Sequence, residues 1–276
     1  MIQPDQDVTR WDGYVAQYER MFEPLTDTFN AAALDRLGSL AGKDLLDVGA
    51  GTGGAALAAA ARGARVVAVD GSAAMVARIG VRGAGRVAAQ VADAAALPFA
   101  AETFGAVLSS FGVVLASDPP HAMTELFRVL RPGGRAAIVT WTEPHRYELA
   151  TRLRDAAIAV QGEVSMGALP VQLRYIDPVR LHALLADAGF DAIEITRVEA
   201  TLHAASAQVL AGSLAFAPGM AAMLGGLGEH RAAVLDQFVT TLTADQGTGA
   251  VALGAVAHIA AGTRPWFEAI GSGDRS

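Results

Sequence analysis

The sequence predicts an α/β fold: a doubly wound, mostly parallel sheet with helices on both faces. Short apolar runs alternate with segments of helical period, the pattern of successive βαβ units. A glycine-rich stretch, Asp47 to Gly54, joins the first apolar run to the first helix of that series. The 276 residues are 52% hydrophobic and only 18% charged, enough apolar surface for a large core and the wrong composition for a disordered chain.

Taken in order, Asp44–Val48 reads as a buried strand, followed by an alanine-rich helix from Gly53 to Arg62. Arg65–Val69 is the second strand, and Ser72 is a natural N-cap for a helix through Ile79. Arg86–Val91 and Phe104–Ser109 are strands three and four. Met123, Leu126, Phe127 and Leu130 share one face of a helix over Pro120–Leu130. Proline and two glycines at 132–134 read as a type II turn, and Arg135–Trp141 as strand five. Pro178–Ala188 is an amphipathic helix with Gly189 beyond its end. Asp191–Glu199 and Ala250–Ala260 complete seven strands, with a helix near Arg231–Thr243 between them. The first thirty to forty residues, with Trp11, Tyr14 and Tyr18 near helical spacing, precede the first strand.

Composition excludes several classes of function. The 21 basic and 28 acidic residues leave a net charge of −7, without the basic footprint of a nucleic-acid binder. The absence of cysteine removes disulfides, thiolate metal sites and a cysteine nucleophile. Lys43 is the one lysine, which argues against Schiff-base chemistry. No pair of histidines has metal-ligand spacing, so no metal is expected. Residues 1–10 carry Asp5 and Asp7 and have no apolar core, so they do not read as a signal peptide. Ala200–Gly228 has no formal charge, but Pro218 and several glycines interrupt it. It reads as a lid over a pocket or a buried helix pair rather than a membrane helix. A cytoplasmic protein without membrane insertion is the expectation.

Chemistry concentrates around the glycine loop. Gly49, Gly51 and Gly53 allow a sharp turn and a close ligand approach, and the helix beyond offers free N–H groups. Asp70, at the end of strand two, is placed to accept both hydroxyls of a ribose. Gly49, Gly51 and Gly54 also satisfy the dinucleotide pattern G-x-G-x-x-G, so an NAD(P)-dependent oxidoreductase stays open. Asp47 argues against it, because a pyrophosphate would meet a carboxylate of its own sign. Asp93, after strand three, can accept from an adenine amine. The ligand these residues describe has an adenine, a ribose and a zwitterionic tail without phosphate.

At these motifs the chain resembles the class I S-adenosylmethionine-dependent methyltransferases, in their UbiE-like small-molecule branch. LLDVGAGTGG (45–54), VVAVDGS (66–72), VADAAALPF (91–99) and the stretch from Phe104 to Gly134 match four family motifs in order. The resemblance implies a Rossmann-like seven-stranded sheet with the last strand antiparallel, plus a helical cap. It divides a single domain, 1–276, into N-terminal cap helices (1–40), a cofactor-binding core (41–141) and a C-terminal part (142–276) with a lid insertion near 200–247. It implies that Gly49, Ala50 and Gly51 cradle the methionine moiety of S-adenosyl-L-methionine by backbone, with Asp47 near its ammonium. Asp70 would take the ribose hydroxyls. Gly71 and Met75 would lie against the adenine, which Asp93 and the Ala94 N–H would recognise. Ser109 or Ser110 would offer a carbonyl to the ammonium, and Tyr14 and Tyr18 would close over the cofactor, plain packing being their alternative.

Methyl transfer needs an aligned nucleophile, exclusion of water and, for many acceptors, a base. His145, four residues beyond strand five, is the candidate base, with Glu143 its competitor. Residues 1–35, 142–177 and 200–247 are expected to set the acceptor. The uncharged lid candidate points to a hydrophobic small molecule, as in bacterial specialised metabolism, methylated on oxygen, nitrogen or carbon. A chain using the cofactor structurally, as a cyclase or a binding module, is the alternative. The apolar stretch at 200–228 could instead be a homodimer face.

Overall fold

The computed structural model describes residues 3–162 and 171–266. Seven strands form one sheet in the order β3-β2-β1-β4-β5-β7-β6. They are β1 Asp44–Val48, β2 Arg65–Asp70, β3 Val87–Val91, β4 Phe104–Ser110, β5 Leu130–Trp141, β6 Asp191–Ala204 and β7 Val251–Thr263. β1 to β5 run parallel, and β7 lies antiparallel between β5 and β6. This is the sheet expected from the motifs. Chain order reverses at β1, which pairs with β2 on one side and β4 on the other. Ligands of open α/β sheets bind in the crevice above such a reversal.

The helices are α1 Glu23–Arg36, α2 Gly54–Ala61, α3 Ala73–Gly83, α4 Pro119–Val129, α5 Glu148–Gln161, α6 Pro178–Asp187, α7 Ala207–Gly212, α8 Pro218–Gly226 and α9 Arg231–Gln246. One core joins Leu25, Phe29 and Leu34 of α1 to Ala55, Ala56 and Ala59 of α2 and to α5 and α9. A second joins Met123 and Leu126 of α4 to Leu181, Leu184 and Leu185 of α6. Each fully buried large side chain contributes about 1.5–3 kcal/mol. The alanines of α2 combine the highest helix propensity with small volume, so that helix lies close to the sheet. Side-chain caps start the helices where the sequence offers them: Ser72 accepts from the Met75 N–H, Asp118 from His121 and Asp177 from Val179.

Two elements differ from the sequence reading. The stretch read as a type II turn at 131–134 is part of β5, which already begins at Leu130. Gly133 does take φ +74°, but its N–H donates to the carbonyl of Arg264. The Arg264 guanidinium in turn bonds the carbonyls of Phe127, Arg128 and Leu130 and pairs with Glu102. The end of α4 is thus closed by a cation from 134 to 137 residues further on, favourable at a helix C-terminus. β6 continues to Ala204, so the first residues of the uncharged segment are strand and not lid. The remainder forms α7 and α8, whose Leu210 and Leu224 are buried. Among the described residues no helix is long and apolar enough to cross a membrane. Of the segments expected to set the acceptor, 163–170 lies outside the described residues.

Candidate functional site

The glycine loop sits on the C-terminal ends of β1 and β2. The N–H groups of Gly49 and Ala50 both donate to the Val69 carbonyl, at 2.9 and 3.0 Å. Gly49 has φ +71°, and a Cβ built on it would stand 2.6 Å from the Cα of Gly112. Only glycine meets both conditions. Gly51 and Gly53 are likewise left-handed, at φ +54° and +90°. Asp70 organises the loop from β2: its Oδ2 accepts from the Gly51 N–H at 2.8 Å and its Oδ1 from the Ser72 N–H at 2.9 Å. Ser109 fixes the neighbouring edge, its hydroxyl donating to the Val48 carbonyl and accepting from the Val113 N–H.

The electrostatics of this corner are unusual. Asp47 is 1% exposed, and its Oδ2 has no hydrogen-bond partner among the described residues. Burial, then the nearby Asp70 carboxylate, push the Asp47 carboxyl up to about 7, against the opposing pull of the Ala56 N–H. Burial also raises Asp70, opposed by its bonds to Ser72 and Gly51. Two carboxylates thus stand close together, and among the described residues neither forms an ion pair. A site of this charge favours a cationic ligand and opposes a pyrophosphate.

The opposite wall comes from α1. Glu23, Thr26 and Asn30 lie on one face at i, i+3 and i+7, and all three are buried. Glu23 accepts from the Thr52 hydroxyl and from both terminal nitrogens of Arg82, whose Nη1 also bonds the Thr52 carbonyl at 2.9 Å. Sequence reasoning missed this stripe and Arg82. Their helical spacing was the available signal, but polar residues so spaced ordinarily mark a solvated face.

Segment 4–22 crosses above the loop. Val8 lies against Gly71, Asp12 accepts from the Ser72 hydroxyl and the Ala74 N–H, and the Tyr18 ring lies on Gly51. Asp5 reaches further and accepts from the Gly219 N–H of α8 at 2.7 Å. The Tyr18 phenol is raised, mainly by burial, and bonds Thr26. Between Tyr18, α1 and the loop, the enclosed space holds roughly one water molecule. A larger ligand therefore requires segment 4–22 to move.

Aromatic rings gather beside this cavity. Phe111 follows β4 with φ +57°, costly for a bulky residue and held by its N–H to the Val139 carbonyl. Its ring is 4.5 Å from Trp141, which stacks on Tyr147 at 4.7 Å. Phe22 stacks on Phe216, from the segment between α7 and α8, at 4.9 Å and 13°.

Of the residues singled out in the sequence, Tyr18, Asp47, Gly49, Ala50 and Ser110 line the cavity, and Gly51 and Asp70 adjoin it. Gly71 lies under Val8, and Met75 is a buried core residue whose N–H caps on Ser72. Tyr14 is half-buried and contributes its carbonyl to the Tyr18 N–H. Asp93 is exposed and closes a local turn with Ala95, next to half-buried Ala94. His145 is exposed on the turn Pro144–Arg146, outside the cavity. Glu143 is ion-paired with Arg197. Among the described residues no group of His, Asp and Glu is arranged to hold a metal ion.

Sheet order, glycine loop and paired acids together define a Rossmann-like nucleoside-binding domain of the methyltransferase type. A methyltransferase-domain model matches residues 46–138. A demethylmenaquinone methyltransferase of Beutenbergia cavernae is 36% identical over 169 residues, covering 58% of this chain and 70% of the relative. That of Renibacterium salmoninarum is 33% identical over 145 residues, 51% of this chain and 61% of its own length. The chain thus spans about three fifths of the length of that relative. A phosphoethanolamine N-methyltransferase of Haemonchus contortus, solved with S-adenosyl-L-methionine, superposes with a TM-score of 0.58 at 19% identity, over 95% of this chain and 59% of that one. The [4+2]-cyclase SpnF superposes at 0.53 with 23% identity, over 87% and 82%. The chain belongs to the class I S-adenosylmethionine-dependent methyltransferases, in the UbiE-like branch.

The residues present fit that family's cofactor. Its sulfonium and ammonium suit a buried and a half-buried carboxylate, neither ion-paired among the described residues, and the left-handed glycines leave its approach clear of side chains.

Proposed function

We propose that the protein transfers a methyl group from S-adenosylmethionine to a hydrophobic small-molecule acceptor. The observation that carries this reading is the pair of buried Asp47 and half-buried Asp70 flanking a left-handed glycine loop, which favours a phosphate-free, cationic nucleoside. When bound, the cofactor supplies a methyl group activated by a sulfonium. Asp70 would hold the ribose, Gly49 to Gly51 the amino-acid side, and Tyr18 would exclude water from above.

The acceptor would lie among Phe111, Trp141, Tyr147, Phe22 and Phe216, which favour a flat, apolar molecule. The quinone-type acceptors named for the relatives fit that description, and a role in bacterial specialised metabolism is consistent with it. Any proton the acceptor loses would reach His145, exposed on the turn beyond β5 and outside the cavity, by way of solvent rather than direct contact. Glu143 is the poorer base, because its backbone hydrogen bond and Arg197 hold its carboxyl below the usual range.

The test is incubation with methyl-labelled S-adenosylmethionine and a panel of naphthoquinols, phenols and aromatic amines. Labelled product together with S-adenosylhomocysteine is expected for at least one flat aromatic acceptor. Tight cofactor binding without label transfer to any of them would favour a non-transferring use of the site.

A further inference from the structure

A run of ring contacts leads from Tyr18 through Phe22 and Trp141 to Tyr147. The Tyr18 end lies on Gly51 of the glycine loop, and its hydroxyl bonds Thr26, with Glu23, Asp70 and Asp27 near. The Tyr147 end, away from the loop, is different. Its hydroxyl is buried and has no hydrogen-bond partner among the described residues. Burial alone raises the phenol, and no charged group acts on it. Buried tyrosine hydroxyls ordinarily find a partner, and one left without is costly.

The hydroxyl is also fixed in place. The Tyr147 N–H donates to the Pro144 carbonyl at 3.1 Å, and its carbonyl accepts from the Thr151 N–H and hydroxyl in the first turn of α5. Its ring stacks on Trp141 at 4.7 Å and 17° and packs against the core that holds Leu149 and Leu153. A buried water takes about two to four polar partners, and the side chains of Phe22, Phe29 and Phe111 around Trp141 supply none. Neither the cofactor site nor proton removal uses this hydroxyl. A donor held rigid in apolar surroundings calls for a ligand that is itself mostly apolar and brings one acceptor atom to it.

Resting on the placement of the methyl acceptor among these rings, we infer that the Tyr147 hydroxyl donates a hydrogen bond to an oxygen on the acceptor and determines which flat molecules are taken. The group it reads is a carbonyl or aryl oxygen at the end of the ring system away from the methylated position. Because burial raises the phenol, it keeps its proton across the neutral range and serves as a donor, not as a base. The acceptor class narrows from flat apolar molecules to those bearing such an oxygen, a stronger discrimination than shape provides. A bond at that end also fixes how the ring system lies on Trp141, and so which of its positions faces the transferred methyl.

The test uses the full chain saturated with S-adenosylhomocysteine and two probes of like shape. 1,4-Naphthoquinone carries carbonyl oxygens that only accept; naphthalene carries none. The chain has no cysteine for the quinone to alkylate. On the unmodified chain the quinone should bind the more tightly of the two although it is the more polar, a comparison that needs no variant; the reverse order overturns the inference. In titration calorimetry Tyr147→Phe should bind the quinone about tenfold more weakly, with naphthalene and S-adenosylhomocysteine unchanged within about twofold. The variant's melting temperature should hold or rise, because the substitution removes an unpaired polar atom. A hydroxyl with a structural partner would lower it instead, and that fall overturns the inference. Equal weakening of both probes, or weakening of neither, overturns it too and leaves the methyl-transfer reading standing. Failure of the unmodified chain to bind either probe overturns the placement of the acceptor and the inference with it, while S-adenosylhomocysteine binding, measured first, reports on the cofactor reading separately.

Discussion

A buried carboxyl that titrates near neutrality makes ligand binding a proton-coupled event. Asp47 titrates at about 7 in the folded chain, against an ordinary value of 3.8. At 1.36 kcal/mol per decade the difference corresponds to about 4 kcal/mol, an upper figure for what ionising Asp47 costs the ligand-free fold. The sign follows from linkage. Between roughly pH 4 and 7 the folded chain binds more protons than the unfolded one, so stability falls as pH rises through that window and levels above it. A cation placed at Asp47 favours the carboxylate and expels the proton. S-adenosylhomocysteine binding should therefore release close to one proton at pH 6 and almost none at pH 8.5. Its affinity should rise by up to about tenfold per pH unit below 7. Calorimetry at pH 6 in two buffers of different ionisation enthalpy measures the release directly. Asp70, also raised by burial, acts with the same sign, so Asp47→Asn isolates the contribution. Glu23 faces the same cavity but is neutralised by Arg82, and the raised Tyr18 phenol stays protonated throughout. In Asp47→Asn the proton release should fall sharply, and the thermal-stability gain over the unmodified chain should grow from pH 4 to 7. Binding that releases no proton at pH 6, with affinity flat from pH 5.5 to 8, would refute the reasoning.

Three further substitutions probe the loop. Asp70→Ala removes the acceptor shared by Gly51 and Ser72 as well as the ribose carboxylate, and should weaken S-adenosylhomocysteine by about 1.5–3 kcal/mol in titration calorimetry. Gly49→Ala sets a Cβ 2.6 Å from the Gly112 backbone at φ +71°, and calorimetric unfolding should show a loss of about 2–4 kcal/mol. Arg82→Met leaves Glu23 buried without its cation and should cost about 3–5 kcal/mol in denaturant unfolding, most of it recovered in the double variant with Glu23→Met. Equal stability of the single and double variants would show that Glu23 and Arg82 are not coupled.

Local chemistry made the loop legible. Glycines at 49, 51 and 53 announce a backbone that only they can adopt, and Asp70 follows at the end of an obvious strand. Ser72, Asp118 and Asp177 cap helices through atoms two or three residues away, within reach of sequence reasoning. Long-range partners decided the rest. Nothing near Gly133 shows that Arg264 will take it into a strand, and nothing near Asn30 shows that the glycine loop will bury it. Glu23, Thr26 and Asn30 read as a wet face because the wall that dries them comes from other elements. Asp93 and His145, chosen for position along the chain, lie exposed.

The stitching of segment 4–22 bears on the order in which the molecule is assembled. Its anchors lie far ahead in the chain: Asp12 waits 60 residues for Ser72, Gln6 110 residues for Ala116, and Asp5 214 residues for Gly219. A ribosome extends the chain at about 5–20 residues per second, so on the order of 10–40 s separate the making of Asp5 from that of its partner. The glycine loop and strands β1 to β5 have all emerged by then. During that interval the segment can be held at Ser72, Ala74 and Ala116, and its tie to α8 is still to come. A nascent chain thus passes through a form fastened at fewer points than the finished molecule.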